Sequence, residues 1–391
     1  MPHIHIKESR NASFPTAIKG TKFDFIATNV KHSDEQLIAT EVEGRKFFTL
    51  LKSGEKRLIK SDKITRPSPT FLMHKALLDY VKLTDAEVFS SNVHTAEKNI
   101  HFQHDELKLK HISYFADNFT TDKEVHIEVG FGSGRHLVHQ AIQNPDILFI
   151  GIEIHRPSIE QVLKQISIHN IENLLLLDYD ARLFMELIPS NIVGKIYVHF
   201  PVPWDKKPHR RVISKPFIEE AIRVLKVNGR LELRTDSENY YAYSYETFMS
   251  LQQLSLEINK NKSIAVTSKY EDRWRLMEKN IYDVTLINSQ ESPNRTVNAN
   301  FDFPKGLLNP KHLHELNGKT VKFDGGFIHF ERLYSIEGGG MMCRLSLGSF
   351  ERPEHVYLIL KEDETSYFPQ NLIATRTNLH VHQELCKVLH G

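Results

Sequence analysis

The turn Glu128-Val-Gly-Phe-Gly-Ser-Gly134 has the residue types and the spacing that a nucleoside cofactor requires. Glycines tolerate positive φ and let a ligand approach the backbone closely, and the helix that follows offers free N–H groups in its first turn. Folds that bind NAD, FAD or S-adenosylmethionine all use such a turn. The acid before the glycines favours S-adenosylmethionine, because a carboxylate there would repel a pyrophosphate and attract an ammonium group. We therefore expect Glu128, Gly130 and Gly132 to contribute to a cofactor site.

Two further acids end neighbouring strands of the predicted sheet. Glu153 ends the run ILFIGIE, where a carboxylate can accept both ribose hydroxyls of a nucleoside, as in NAD and S-adenosylmethionine proteins. In the run LLLLDYDA, Asp178 or Asp180 could accept from the adenine amino group. Asp180 also precedes a helix and could be its N-cap, and the two roles are compatible. The sequence therefore predicts Glu153, and either Asp178 or Asp180, as cofactor residues.

A stiff basic loop, FPVPWDKKPHRR over residues 200–211, follows the next apolar run. Its prolines fix φ. Four cations in it could contact nucleic-acid phosphates, and they are Lys206, Lys207, Arg210 and Arg211. Trp204 could stack on a base or anchor the loop in the core. Since the net charge of the chain is only +1, we expect nucleic acid to be bound by this local patch and not by the whole surface.

Two charged segments complete the residues that could do chemistry. Thr235 and Asp236 stand at the end of the run RLELRT, which we expect next to the basic loop. Further along, Ser268–Arg273 mixes charged side chains with Tyr270. Taken alone, this second segment also fits the start of an ordinary amphipathic helix.

Alternating apolar runs and amphipathic segments must position these residues. VHIEVG, ILFIGIE, LLLLDY, KIYVHF and RLELRT are each followed by a segment of helical length, and IYDVTLIN ends the series. This alternation indicates a parallel sheet with helices on both faces. Ligands of such sheets bind at the carboxyl ends of the strands. The predicted fold class is therefore α/β and Rossmann-like.

β-rich segments flank this sheet. FDFIATNV, QLIATEV and KFFTLLKSG precede it, and TVKFDGGFIHFERLYSI, MMCRLSLGSF and HVYLILKEDE follow it. FLMHKALLDYVKL and LKHISYFADNF have helical spacing, and we find no internal repeat. The predicted domains are a β-rich N-terminal extension at residues 1–93, the α/β domain at 94–290 and a β-rich C-terminal extension at 291–391.

The composition excludes several classes of protein. With 391 residues, 40% of them hydrophobic and 25% charged, the chain is typical of a soluble globular protein. Its first residues, MPHIHIKESR, lack a signal core, and no run approaches the roughly 18 apolar residues of a membrane span. Two cysteines fit a reducing compartment, and no H-E-x-x-H or Cys/His cluster suggests a metal. We expect a cytoplasmic protein with no membrane or metal partner.

Taken together, five motifs make the chain resemble the bacterial tRNA (guanine-N7)-methyltransferase family between Glu124 and Asn288, under half of its length. The motifs stand in that family's order and are E-x-G-F-G-x-G, N-P-D…F-I-G-I-E-x-H, F-P-x-P-W-x-K-K-x-H, T-D and T/S-K-Y/F-E-x-R. The resemblance implies the fold of a class I S-adenosylmethionine-dependent methyltransferase, with S-adenosylmethionine as the methyl donor. It also implies tRNA as the partner, with the guanine at position 46 of the variable loop as the target.

The resemblance further implies roles for individual residues. Glu128, Glu153 and Asp180 would bind the cofactor. The guanine or the tRNA would be bound by Lys206, Asp236, Ser268, Lys269, Tyr270 and Glu271. The family usually has F-P-D-P-W, in which the Asp is considered catalytic, whereas this chain has Val202 at that position. We therefore assign no catalytic residue.

Because Val202 replaces the usual acid, three functions have to be compared. Guanine N7 has a free lone pair and needs no base, so methyl transfer can persist if Asp236 or Asp205 supplies the negative charge. This is the leading interpretation. A tRNA-binding protein without turnover is the first alternative, and a small-molecule methyltransferase, which the basic loop disfavours, is the second. An NAD dehydrogenase conflicts with Glu128.

Overall fold

The computed structural model describes the chain except for residues 1, 8, 55–56, 68–69, 94–107, 117–118, 296–299, 306–309, 351, 362–363 and 391. The chain forms two compact units. The flanking unit comprises Met1–Lys98 and Asn298–Gly391, and the central unit comprises Asn99–Val297. Within the described residues, no helix is long and apolar enough to cross a membrane.

The strands, numbered along the described chain, are β1 (His3–Ile6), β2 (Thr16–Ile18), β3 (Thr21–Asn29), β4 (Glu35–Val42), β5 (Arg45–Lys52), β6 (Arg57–Ser61), β7 (Val88–Ser91), β8 (Leu109–Lys110), β9 (Val125–Val129), β10 (Leu148–Glu153), β11 (Leu174–Asp178), β12 (Val193–His199), β13 (Leu225–Thr235), β14 (Ser255–Lys260), β15 (Tyr282–Ile287), β16 (Thr320–Phe323), β17 (Gly326–Ile336), β18 (Met341–Ser349), β19 (Arg352–Lys361) and β20 (Glu364–Phe368). The helices are α1 (Phe71–Leu83), α2 (Ser113–Ala116), α3 (Arg135–Gln143), α4 (Arg156–His169), α5 (Ala181–Phe184), α6 (Lys215–Val224), α7 (Glu238–Met249), α8 (Lys269–Leu276), α9 (Pro310–Leu316) and α10 (Arg376–His390).

The central unit confirms the predicted α/β fold. Its sheet has the order β14-β15-β13-β12-β9-β10-β11-β8. Strands β9 to β13 pair in parallel with their neighbours, whereas β15 is antiparallel to β13 and β14 is antiparallel to β15. The predicted series of apolar runs corresponds to β9 to β13 and to β15. Strand β14 was not predicted, because it lies at an edge and most of its side chains are exposed.

The segment LKHISYFADNF differs from its prediction as one helix. Leu109 and Lys110 form the short strand β8, which pairs with Leu176 and Leu177 on β11. Among the described residues of the segment, helical structure is limited to Ser113–Ala116, and residues 117–118 lie outside the described residues. The open edge of β11 supplies backbone hydrogen-bonding partners that a local pattern does not reveal.

Serine hydroxyls cap the starts of α6, α7 and α8 in the central unit. The hydroxyl of Ser214 accepts from Phe217 N at the start of α6, and that of Ser237 accepts from Tyr240 N at the start of α7. Each cap satisfies an N–H group that has no partner inside its helix.

The flanking unit is a single antiparallel sheet with the order β20-β19-β18-β17-β3-β4-β5-β6-β1-β7, to which β2 and β16 add at β3 and β17. From the sequence, its two parts are expected to be separate extensions. The structure joins them, because β3 and β17 pair through Asn29↔Tyr334 and Ala27↔Ile336. A pairing across about 300 residues leaves no local signal in the sequence.

The flanking unit also contains an internal repeat that the sequence does not display. Strands β2 to β6 followed by α1 have the same order and pairing as β16 to β20 followed by α10. Both halves have a bulge at the same place, between Phe23 and Ile26 and between Phe330 and Arg332. Each half packs against its own helix, and both share a third core that includes Phe48.

Glu35 links the two halves of the flanking unit. It accepts hydrogen bonds from Arg332 Nη1 at 2.6 Å, Tyr334 Oη at 2.9 Å and Asn29 Nδ2 at 3.1 Å. Burial by itself raises the pKa of Glu35, but these hydrogen bonds lower it from 4.5 to about 2. A carboxyl with a lowered pKa in the folded state stabilises the fold above pH 4.5, and this stabilisation is lost as the pH falls towards 2.

We therefore expect Glu35→Gln to lower the free energy of unfolding of the flanking unit by about 1.5–3 kcal/mol at pH 7. The difference from wild type should shrink as the pH falls below 4.5, because the wild-type carboxyl then takes up a proton. Urea unfolding at a series of pH values measures both effects. Glu41→Gln is the control, since Glu41 pairs with the exposed Lys22 and should cost less than about 1 kcal/mol. A pH-independent loss at Glu35 would contradict the argument.

Candidate functional site

The predicted glycine turn connects β9 to α3 in a conformation that requires glycine. Gly130, Gly132 and Gly134 have φ values of 70°, 54° and 71°. A side-chain carbon at Gly134 would lie 2.1 Å from Cγ2 of Val162, so glycine also lets α4 pack close to the turn. A carbon at Gly130 would meet no atom of the described residues within 4 Å. The backbone of the turn therefore faces open space in which a ligand could lie.

Glu153 ends β10 directly beside this turn, as the sequence predicts for parallel strands. Its Oε2 accepts from Gly132 N at 3.0 Å. Its Oε1 accepts from Ile154 N at 2.8 Å and from His155 N at 2.9 Å. The carboxylate thus ties the glycine turn to the loop after the next strand.

Glu128 lies inside the unit, next to the end of β9, and is only 3% exposed. Its Oε2 is 2.8 Å from Nδ1 of His136 in the first turn of α3. Burial by itself lowers the pKa of His136, but the Glu128 carboxylate raises it more, so the net shift is upward. The pair therefore holds the start of α3 against β9, and a contact of Glu128 with a cofactor stays a prediction.

Asp180 is the N-cap of α5, one of the two roles that its position suggested. It accepts from Arg182 N at 2.9 Å and forms an ion pair with the Arg182 guanidinium at 2.6 Å. Asp178, at the end of β11, forms an ion pair with Arg156 at 3.2 Å. The adenine contact of Asp180 stays a prediction.

The basic loop divides into three exposed cations and one buried cation. Lys206, Lys207 and Arg210 are exposed, whereas Arg211 is 6% exposed. Arg211 Nε donates to Pro203 O at 2.7 Å. The expectation that Arg211 contacts phosphate is therefore corrected, because burial and this bond make it an anchor of the loop.

Trp204 lies on the surface of the same loop. It is 37% exposed, and the guanidinium of Arg210 lies 5.1 Å from its ring. Its φ of 47° belongs to the left-handed region. Of the two roles considered for Trp204, the structure is compatible with stacking on a base and not with an anchor in the core. Val202 is 60% exposed two residues earlier.

The start of α8 lies against the glycine turn. The Ser268 hydroxyl caps the helix by accepting from Glu271 N at 3.1 Å. Tyr270 is 55% exposed, and its Cε2 would be 3.7 Å from a side-chain carbon at Gly132. Arg135, the first residue of α3, donates to Thr267 O at 3.3 Å. The structure therefore brings two motifs together that are about 135 residues apart in sequence. Lys269 is exposed beside them.

Glu271 is fully buried. It accepts from Arg234 through Nε at 2.9 Å and Nη2 at 2.6 Å, and from Arg275 Nε at 2.9 Å. Arg234 is also buried and pairs with Asp283 on β15. These contacts indicate that Glu271 holds α8 against β13, and the substrate contact that the resemblance implies for Glu271 stays a prediction.

Asp236 follows β13 at the edge of the site. Its side chain is 21% exposed and accepts from Nζ of Lys279 at 2.9 Å. The same Nζ lies 3.8 Å from the ring of Trp274 on α8. Asp236 is therefore a partly accessible carboxylate at the carboxyl end of a strand, where ligands of this kind of sheet bind.

Charged side chains that the sequence analysis did not single out line one face of the same sheet. Lys195, Tyr197 and His199 alternate on β12, and Glu232 and Arg234 alternate on β13, around a cavity of about 190 Å³. Burial and nearby cations lower the pKa of His199 well below 6.5. The alternation of charged and apolar residues along RLELR could have predicted this charged face, because such alternation is unusual for a central strand of a parallel sheet.

A family model described as "Putative methyltransferase" matches residues 122–284. A solved antibiotic-related methyltransferase is 20% identical, with a TM-score of 0.33, over 44% of this chain and 91% of that chain.

Relatives named tRNA (guanine-N(7)-)-methyltransferase match almost the whole chain. The protein from Wolinella succinogenes is 40% identical over 98% of this chain and 99% of its own length. That from Campylobacter fetus subsp. fetus is 37% identical over 100% of this chain and 99% of its own length. The Helicobacter hepaticus protein is 36% identical with the same coverage. These matches include both β-rich segments.

Proposed function

Since this chain belongs to the tRNA (guanine-N7)-methyltransferase family, we propose that it transfers a methyl group from S-adenosylmethionine to N7 of guanine 46 in the variable loop of tRNA. The observation that carries the proposal is the meeting of the Ser268–Glu271 motif with the glycine turn, which puts motif residues of both substrates at one edge of the sheet. A cytoplasmic location follows from a tRNA substrate and from two free cysteines.

The cofactor side of the proposed site fits S-adenosylmethionine. Open space above Gly130 leaves room for a ligand against the backbone, and the carboxylate of Glu153 lies at the end of the adjacent strand. The residues that we propose for the cofactor site are Glu128, Gly130, Gly132, Glu153 and Asp180. Glu128 would support the site by holding the start of α3 through its bond to His136. When bound, the cofactor supplies an electrophilic methyl group on a positively charged sulfur.

The protein's residues have little proton chemistry to perform in this reaction. Bound S-adenosylmethionine would supply a methyl group to the N7 lone pair, and its sulfur would keep the electrons of the bond to that methyl group, so no residue has to remove a proton. The positive charge passes to the guanine ring, so a carboxylate near the ring lowers the energy of the transition state. Asp236 is the proposed source of this charge, and Lys206, Ser268, Lys269 and Tyr270 are the proposed contacts that orient the guanine and the tRNA.

The test is a methyl-transfer assay with purified protein, unmodified tRNA and S-adenosylmethionine, followed by nuclease digestion and detection of N7-methylguanosine. We expect one methyl group per tRNA, and none when guanine 46 is replaced by adenosine. Product at another guanine would overturn the assignment of position 46. Tight tRNA binding without product would instead support the binding-protein alternative.

The exposed part of the basic loop gives a further prediction. We expect Lys206→Ala/Lys207→Ala to reduce the salt dependence of tRNA binding by up to about two units of slope, since each lysine at a phosphate contributes about one. Affinity for S-adenosylmethionine should not change. Filter binding between 50 and 200 mM salt, the usual range for such slopes, measures the effect. Lys164→Ala, an exposed lysine on α4, is the control and should leave the slope unaltered. An unaltered slope in the double variant would show that the lysines only face solvent.

A further inference from the structure

Three tyrosines form a stacked row on the central unit. The ring centroids of Tyr241 and Tyr282 are 4.9 Å apart with an angle of 23° between their planes. Those of Tyr241 and Tyr245 are 6.5 Å apart at 25°. Tyr245 is 37% exposed, and Nζ of Lys260 lies 5.6 Å from the centroid of the Tyr282 ring. We call these three tyrosines and Lys260 the tyrosine row.

The tyrosine row begins beside the proposed guanine site. Tyr282 is the first residue of β15 and pairs with Thr235, the last residue of β13. Asp236 follows immediately after Thr235. On the other side of β15, Tyr282 pairs with Lys260, the last residue of β14. The row therefore continues from the carboxyl end of β13 towards the outer edge of the sheet.

Helix α7 connects the tyrosine row to the basic loop. Tyr241 and Tyr245 are four residues apart and so share one face of the helix. On the other side, the Tyr240 hydroxyl accepts from Ile213 N at 3.1 Å, and the Arg211 guanidinium lies 4.5 Å from the Tyr243 ring. Since the same helix anchors the end of the basic loop and carries the row, the two surfaces keep a fixed spacing.

We propose that the tyrosine row binds unpaired nucleotides of the tRNA next to the target guanine, with a base stacked on Tyr245 and a phosphate at Lys260. Parallel aromatic rings with an exposed outer face suit a nucleobase, because every base has a π face and stacking tolerates any sequence. A cation at the other end of the row suits the phosphate of the same strand. This inference rests on the proposed tRNA substrate and adds a contact beyond the motif residues.

The test is equilibrium binding of unmodified tRNA, which does not require methyl transfer. We expect Tyr245→Leu and Tyr241→Leu to weaken binding about 5- to 100-fold, the range for loss of one base–aromatic stack. Tyr245→Phe and Tyr241→Phe keep the ring and should retain wild-type affinity. Met249→Ala, an exposed residue on the same helix, is the matched control. Unchanged affinity for S-adenosylmethionine and an unchanged melting temperature show that the leucine variants remain folded.

An abasic tRNA series identifies the stacked base. Single abasic sites at the nucleotides around position 46 should include one that weakens wild-type binding and abolishes any further effect of Tyr245→Leu. Leucine variants that bind as wild type does, or that weaken binding to every abasic tRNA equally, would overturn the inference. A wild-type protein that binds tRNA without methylating it would overturn the proposed function and still leave the tyrosine row open to this test.

Discussion

Replacement of Asp236 by alanine is expected to slow methyl transfer to tRNA about 100- to 1,000-fold, the usual effect of removing one electrostatic contact from a transition state. Val202 is exposed and offers no carboxylate on its side of the target ring. Asp236 lies partly accessible at the end of β13. Single-turnover rates at saturating cofactor and tRNA would measure the loss directly.

We expect Asp236→Ala to leave S-adenosylmethionine binding unchanged, because the Asp236 carboxylate pairs with Lys279 and not with the glycine turn. Asp205→Ala is the matched control, since Asp205 is an exposed acid of the basic loop. We expect this substitution to have a small effect on the rate of methyl transfer. A large loss at Asp205 and none at Asp236 would transfer the role to Asp205.

Val202→Asp tests the same requirement for negative charge by adding a carboxylate to the basic loop. It restores the acid that the family usually has, so we expect activity at the wild-type level or above. If wild-type protein transfers no methyl group to unmodified tRNA and Val202→Asp does, the chain is a binding protein whose turnover was lost with that acid.

Replacement of Glu271 is expected to have the largest effect on stability. Glu271→Ala would leave Arg234, which is 2% exposed, with Asp283 as its remaining carboxylate partner, and removing one partner of a buried ion pair costs about 3–5 kcal/mol. The cost is high because water cannot reach the guanidinium to replace the lost bonds. Denaturant unfolding, monitored by the fluorescence of Trp274 on α8, measures the loss. Glu271→Gln is the milder variant if the alanine protein does not fold.

Two comparisons separate this buried pair from an ordinary ion pair. Glu257→Ala removes the partner of Arg230, a pair exposed to solvent, and should cost about 1 kcal/mol or less. Arg234→Met combined with Glu271→Gln and Asp283→Asn should recover part of the stability, because the buried guanidinium is then removed together with both of its carboxylate partners. Equal losses in Glu257→Ala and Glu271→Ala would contradict the burial argument.

The sequence by itself determined the local elements and the edge of the sheet at which the site forms. Apolar runs of strand length separated by helical segments identified β9 to β13 and β15, and the glycine turn identified the start of α3. Because parallel strands end at one edge, the positions of Glu153, Lys206 and Asp236 at that edge followed from order along the chain alone.

Only the tertiary structure decided which of the charged residues are accessible. Glu128, Arg211 and Glu271 look alike in sequence to Glu153, Lys206 and Asp236, yet the first three are buried. Their hydrogen-bonding partners are His136, Pro203 and Arg234, which only the folded chain brings next to them. The pairing of β3 with β17 also joins segments that are distant in the chain. This pairing unites the two repeated halves of the flanking unit in one sheet. Sequence patterns report the periodicity of neighbouring residues, whereas burial and long-range pairing depend on which surfaces meet after folding. This is why the edge of the sheet that carries the candidate site was predictable, whereas the burial and the partners of its individual charges were not.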